Sequence, residues 1–206
     1  MLRTCFVSLT LAVLATPVSA SLIGVNSLDL YSRLSGGLGM SDHLIDLTSF
    51  KQGLNLPVIS GSEANVTWTA SAAQGVYVNE VVPSGTYFLS TWQAGDTLTI
   101  SFGGEGVFGF GANTFLTNAG DSVINGNVRM TLSDGTTFIS QITSETTFYG
   151  WLSEGKTTIT SISYRPVFSG PDAFASLSNL RFALIPSSGA MAILALGGLV
   201  AARSRG

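Results

Sequence analysis

NVRMTLSDGTTFISQI, residues 127–142, sets the reading of the whole chain. Val128, Met130 and Leu132 alternate with Asn127, Arg129 and Thr131. A period of two places the apolar side chains on one face of a half-buried strand. Asp134-Gly135 is a turn pair, and Phe138 to Ile142 runs on from it, so the stretch predicts a hairpin. The same alternation recurs outward. Leu98, Ile100 and Phe102 alternate with Thr97, Thr99 and Ser101, and Phe174, Leu180, Phe182 and Leu184 share one parity of 174–184. Ala94-Gly95-Asp96 and Ser153-Glu154-Gly155-Lys156 mark further turns. Strands are expected over 54–59, 66–70, 75–82, 86–90, 97–102, 107–111, 127–133, 137–143, 146–152, 158–165 and 174–184. Short strands this closely spaced predict an all-β chain, a single β-sandwich or jelly roll. Residues 21–53 read differently: Leu28 to Leu34 and Asp42 to Phe50 each suit a short helix, with a loop over Ser35–Gly39 between them.

The composition narrows the function. The chain has 206 residues, 45% hydrophobic and 10% charged, which suits one domain with a substantial core. One cysteine, Cys5, excludes a disulfide framework, and one histidine, His43, excludes a multi-His metal site. Twelve acidic side chains against nine basic ones exclude a nucleic-acid binder. All twelve acidic residues and six of the basic ones fall between 21 and 184, so that segment has a formal charge of −6, against −3 for the whole chain. Such a surface suits a secreted domain held soluble by self-repulsion.

Both ends read as addresses. Residues 1–20 have a basic Arg3, an apolar run from Cys5 to Ala15, Pro17 and then Val18-Ser19-Ala20, the layout of a secretory signal helix cut after Ala20. At the other end Ile185-Pro186-Ser187-Ser188-Gly189 breaks the chain, Ala190–Ala202 is free of charge, and Arg203 and Arg205 follow. That apolar helix is short for a membrane span of about 20 residues, and the positive-inside rule would keep its basic end cytoplasmic. The expected division is 1–20 signal peptide, 21–184 sandwich domain and 185–206 sorting segment.

The C-terminal layout resembles the PEP-CTERM sorting signal of exported bacterial proteins. Pro186, Gly189, Arg203 and Arg205 are the positions that carry the likeness, with Gly-Gly-Leu-Val-Ala-Ala-Arg over 197–203 the nearest match. Ser187 and Ser188 stand where that family usually has Glu or Thr and then Pro. The resemblance implies signal peptidase and an exosortase-like sorting enzyme as partners, a membrane tether through the C-terminal helix, and an address on the cell envelope, cell surface or extracellular matrix of a bacterium. The body from 98 to 184 is similar to the lectin-like β-sandwich bodies of such proteins. Their last strand often reads Phe-x-Leu-Asp-Asn-Leu; here Ser178 replaces the Asp, while Asn179 and Leu180 match.

Candidate chemistry is sparse. Gly104-x-Gly106-x-x-Gly109 spells a dinucleotide fingerprint, but no helix follows to hold a pyrophosphate, so the glycines are expected to serve packing. Gly120-Asp121-Ser122 spells an esterase block whose only possible base is His43. Glu105, Asp121, Glu145 and Glu154 are the carboxylates to weigh for glycoside hydrolysis, and all sit in apparent turns. Asn118, Asp121, Asn125 and Asn127 offer hard oxygens; Asn118 and Asp121 are the expected ligands if calcium binds, and turn formers otherwise. No other cofactor is indicated. Carbohydrate would be recognised by exposed aromatics among Trp68, Trp92, Trp151, Tyr87, Tyr149 and Tyr164. Tyr149 and Trp151 share one face of their strand and would form a flat pair for stacking on a sugar if that face is exposed. Asn65-Val66-Thr67 spells a glycosylation sequon, expected to stay unused. The expectation is an exported, non-enzymatic protein displayed outside the cell. The alternatives are a carbohydrate-binding module for extracellular polysaccharide and, behind it, a secreted hydrolase.

Overall fold

A computed structural model describes residues 22–81, 84–154, 157–167 and 172–186. Strands dominate, with one helix among the described residues. In chain order they are β1 (Leu22–Val25), α1 (Leu28–Gly37), β2 (Ser41–Leu44), β3 (Leu56–Glu63), β4 (Val66–Val81), β5 (Thr86–Thr91), β6 (Leu98–Gly104), β7 (Val107–Thr117), β8 (Val123–Ile124), β9 (Gly126–Leu132), β10 (Thr137–Ile142), β11 (Phe148–Ser153), β12 (Ser161–Val167) and β13 (Phe174–Leu184).

Antiparallel pairing links the strands in the order β1-β11-β7-β13-β5-β4-β6-β12-β9-β10. The sheet curls until its two halves face each other as a sandwich. Phe102 of β6 packs on Phe110 of β7 and Phe182 of β13, with centroids 5.5 and 6.2 Å apart, and Phe138 of β10 meets Trp151 of β11 at 5.5 Å. β4 belongs to both halves. Its residues 66–71 lie between β3 and β6, and its residues 76–81 pair with β5. Between them sits Gly75 at φ +99, a backbone state open to glycine and strained for other residues. A Cβ there would also run into the Asn55 side chain and lie 2.9 Å from the Leu56 carbonyl.

Local chemistry explains the turns. Ala64 and Asn65, both at positive φ, form a two-residue hairpin between Glu63 and Val66, as the right-handed strand twist prefers. The expected Asp134-Gly135 turn joins β9 to β10, with Gly135 at φ +87 and Asp134 Oδ1 accepting the Thr136 N–H at 2.8 Å. Gly104, at φ +90, begins the turn from β6 to β7.

The fingerprint glycines serve close approach, Gly104 to the Asn65 backbone, Gly106 to Thr158 and Gly109 to Leu152, and the bare positions nearby also admit aromatic rings from elsewhere in the chain. Cβ atoms on Gly109 and Gly150 would lie 3.1 Å from Tyr31 Oη and 2.8 Å from Tyr31 Cδ2, and one on Gly111 would lie 2.5 Å from Phe148. Those bare positions form a floor that receives α1. Ser27 caps the helix by accepting the Leu30 N–H, and Tyr31 is fully buried edge-on to Phe148 at 5.6 Å.

Several expectations change. Strands 66–70 and 75–82 are one continuous strand. The expected loop at Ser35 is the last turn of α1, which runs to Gly37. The second short helix, Asp42 to Phe50, does not form. Ser41–Leu44 pairs with Arg181–Leu184 instead, and an Asp46 turn follows in which Asp46 Oδ1 accepts the Thr48 N–H at 2.8 Å. Strand pairing and the Arg181–Asp42 ion pair (2.8 Å) outweigh a weak helical pattern there. β1, β2 and β8 are too short for periodicity to reveal. The expected signal helix and C-terminal helix lie outside the described residues. Among the described residues no helix is long and apolar enough to cross a membrane.

Candidate functional site

The turn between β7 and β8 builds the site. Asn118 Oδ1 accepts the N–H groups of Gly120 (2.9 Å) and Ser122 (3.1 Å), and the Asp121 N–H donates to the Asn118 carbonyl at 3.0 Å. Asp121 sits in the left-handed region at φ +57, which Asp tolerates better than most residues. Its carboxylate points at β4. Tyr77 Oη donates to Oδ1 and Asn79 Nδ2 to Oδ2, both at 2.6 Å. Bonds to an ionised acceptor are short and strong. Burial, and then the Asp121 carboxylate that holds its proton, push the Tyr77 phenol above its ordinary range. Tyr77 is therefore a firm neutral donor.

Trp92 completes the site. It follows the last residue of β5, and its N–H donates to the Gly75 carbonyl at 2.9 Å. It is 45% exposed, the one exposed aromatic among the six candidates, and its ring stands at 90° to Tyr77 with centroids 5.6 Å apart. Tyr77, Asn79, Trp92, Ala119, Asp121 and Phe174 line a cavity of about 430 Å3. On the far side of the Asn79–Asp121 bond a second cavity, about 480 Å3, is lined by Glu80, Gly120, Ser122 and Glu145 as well as Asn79 and Asp121. The two cavities share only Asn79 and Asp121 in their linings, one carrying the aromatic side chains and the other the acidic ones; together they are termed the groove.

The other predicted residues fare differently. Tyr149 and Trp151 do line one cleft, about 330 Å3, between β10 and β11. They are not a flat exposed pair. Trp151 is 2% exposed and packs in the main core against Phe138, and the Tyr149 hydroxyl bonds to Ser140. β11 is covered on both sides, by α1 over Phe148 and Leu152 and by β10 over Tyr149 and Trp151. Of the expected calcium ligands, Asn118 Oδ1 accepts two N–H groups of the turn, and each Asp121 oxygen accepts one bond from β4. Among the described residues no three His, Cys, Asp or Glu side chains gather as a metal site.

His43 stacks on Phe182 at 5.3 Å. The Asp121 turn lies at the opposite end of β13, where Thr117 pairs with Phe174. Eight residue steps of strand separate the two ends, roughly 25 Å, so the Asp121-Ser122 block forms no triad with His43. Of the four carboxylates weighed for hydrolysis, Asp121 and Glu145 share a cavity, while Glu105 sits in the β6–β7 turn near Asn65. Asn179 is the left-handed residue of a β-bulge, its Oδ1 accepting from Arg181 Nε at 3.3 Å. Pro186 ends the described chain. Ala20, Gly189, Arg203 and Arg205 lie outside it.

Sequence reasoning missed Tyr77 and Asn79. Their signal was two polar-tipped side chains on one parity of a strand whose other parity is Val76 and Val78.

No protein-family model matches the chain, and no curated protein matches it in sequence. Solved structures of family 29 carbohydrate-binding modules are similar at a low level. A lysine-to-alanine variant of one such module has a TM-score of 0.35 and 13% identity, covering 69% of this chain and 91% of that one. A second family 29 structure has a TM-score of 0.34 and 10% identity, covering 70% and 88%.

Proposed function

We propose that this protein is a non-catalytic β-sandwich that binds a neutral glycan in the Trp92–Asp121 groove. One observation carries the reading: an exposed indole stands beside a carboxylate already fixed by two donors. A pyranose ring has an apolar C–H face and a rim of hydroxyls. The first stacks on an aromatic plane, and the second donates to an acceptor with lone pairs to spare. Asp121 accepts one bond at each oxygen and so keeps acceptor capacity on both. Glu80 and Glu145 beside it make the groove repel uronates and sulfated sugars.

Hydrolysis is the second reading, because Asp121 and Glu145 share a cavity. It needs one carboxyl to deliver a proton and the other to attack or to activate water. Asp121, clamped by Tyr77 and Asn79, is placed to accept hydrogen bonds rather than to deliver a proton.

Isothermal titration of the full chain against cello-, manno- and xylo-oligosaccharides and a polyuronate tests this directly. Binding of at least one neutral ligand is expected, with no release of reducing ends. Trp92→Ala removes a central aromatic anchor and should weaken that binding by about 2 kcal/mol, roughly 30-fold. Binding confined to the polyuronate, or unaffected by Trp92→Ala, overturns the reading. Export and display at the cell surface are proposed on the two terminal sequences. Mass spectrometry of the protein from its native cells should find a start at Ser21 and a processed C-terminus; an intact Met1 would exclude export by this route.

A further inference from the structure

The outer face of the sheet carries two cations that the groove does not use. In β9, Val128, Met130 and Leu132 are buried, so Arg129 and Thr131 point outward; in β12, Ile162 and Tyr164 are buried, so Ser163 and Arg165 point outward. The antiparallel register of these strands sets Arg129 directly opposite Arg165 and Thr131 opposite Ser163. Directly opposed residues have Cα atoms about 5 Å apart. Two guanidinium side chains therefore rise next to each other from adjacent strands, Arg165 exposed and Arg129 half-buried.

Like charges in that position are unfavourable, and no acid of the chain relieves them. All twelve acidic side chains are among the described residues. The ion pairs there join Arg33 to Asp29 and Arg181 to Asp42. Arg129 and Arg165 make neither an ion pair nor a side-chain hydrogen bond among the described residues. Asp134, in the turn after β9, bonds the Thr136 N–H, and Asp96, just before β6, bonds the Gln74 N–H. On its other side Arg129 faces Ile139 of β10, which is 52% exposed.

An anion from outside would turn this repulsion into two attractions. A guanidinium is a planar fork of donors that meets a carboxylate with parallel N–H···O bonds. The row beside the pair is made of hydroxyls. Thr131 lies 3.3 Å from Thr137 on β10, and Ser163 lies 3.0 Å from Thr99 on β6, oxygen to oxygen. Such a row offers donors and acceptors to sugar hydroxyls. Between 21 and 184 the formal charge is −6, which repels a dense polyanion such as nucleic acid or an anionic bilayer. A uronan carries at most one carboxylate on each ring, set among hydroxyls, and suits two cations on an acidic body.

We propose that Arg129 and Arg165 form a second carbohydrate site, on the outer face of β6, β12, β9 and β10, that takes the carboxylate of an acidic polysaccharide. It shares no residue with the Trp92–Asp121 groove and does not rest on the neutral-glycan reading.

The full chain is titrated with oligomers of polygalacturonate, with their methyl esters, which lack the charge, and with dextran sulfate. The uronate should bind, added salt should weaken it, and the methyl ester should not bind. Arg129→Gln and Arg165→Gln should each weaken uronate binding about 3- to 10-fold. Neither should lower the urea midpoint, because each removes a like-charge contact. Arg33→Gln makes the same change in net charge at an arginine already paired on α1, and it should leave uronate binding intact, as should Trp92→Ala. Absence of uronate binding, equal binding of the methyl ester, tighter binding of dextran sulfate, or an equal loss in Arg33→Gln overturns the site. Loss of uronate binding in Trp92→Ala would put the uronate in the groove and overturns it too. Failure of every neutral oligosaccharide to bind bears on the groove alone.

Discussion

At Gly150 a Cβ would lie 2.8 Å from Tyr31 Cδ2 and 3.1 Å from both Phe148 and Val25. These are ring and methyl atoms in a packed cluster, with little room to yield. Gly150→Ala should therefore cost about 1–3 kcal/mol, the usual penalty for overpacking, read as a lower urea midpoint with an unchanged slope. At this scale the sequence was partly legible. Gly109 and its neighbours were expected to serve close packing, but the partners, Tyr31 and Phe148, are distant in sequence. Asp121 was visible as a loop oxygen donor. Its two bonds to Tyr77 and Asn79 were not, because they span more than 40 residues. Trp92 was one aromatic among six; only burial separates it from Trp68 and Trp151.

Among the elements, the long strands were the easiest to anticipate. β13 runs over 174–184 as its alternation predicts, and β9 and β10 flank the expected Asp-Gly turn. What periodicity misses is how strands are shared. β4 changes layers at Gly75, where two expected strands fuse. Gly75→Ala forces a left-handed backbone on a residue with a Cβ and presses that atom on Asn55 and Leu56. A loss of about 1–3 kcal/mol is expected in denaturant melts. The Trp92 N–H is bonded to the Gly75 carbonyl, so the same variant should also weaken glycan binding. Helix α1 gives an independent test. Ser27→Ala removes its cap and should cost about 1 kcal/mol, with binding intact because α1 lies away from the groove. The β2 segment misread as a helix makes a related point. Asp42 to Phe50 has a weak helical pattern, and pairing with β13 overrides it.

For the molecule as a whole, three of the five tyrosines share one electrostatic situation. The phenols of Tyr31, Tyr77 and Tyr164 are all raised above the ordinary value, with burial the leading cause. A raised phenol holds its proton in the folded state, whereas in the unfolded chain it ionises near pH 10. Stability from these groups is thus complete below about pH 10 and is lost as pH rises beyond it. In an alkaline titration, phenolate absorbance from these three should appear only together with loss of the β-sheet circular dichroism signal. Their early, non-cooperative ionisation would show that the interior is open to water.

Trp68, Trp92 and Trp151 are the three tryptophans of the chain, and only Trp92 is exposed. Their three indole N–H signals, assigned with a Trp92→Phe variant, can be followed while a neutral oligosaccharide is added to the labelled protein. Glycan binding at Trp92 predicts that its signal moves to saturation while those of Trp68 and Trp151 stay fixed. Movement of the Trp151 signal instead, or saturation binding that leaves Trp92 unmoved, would contradict it.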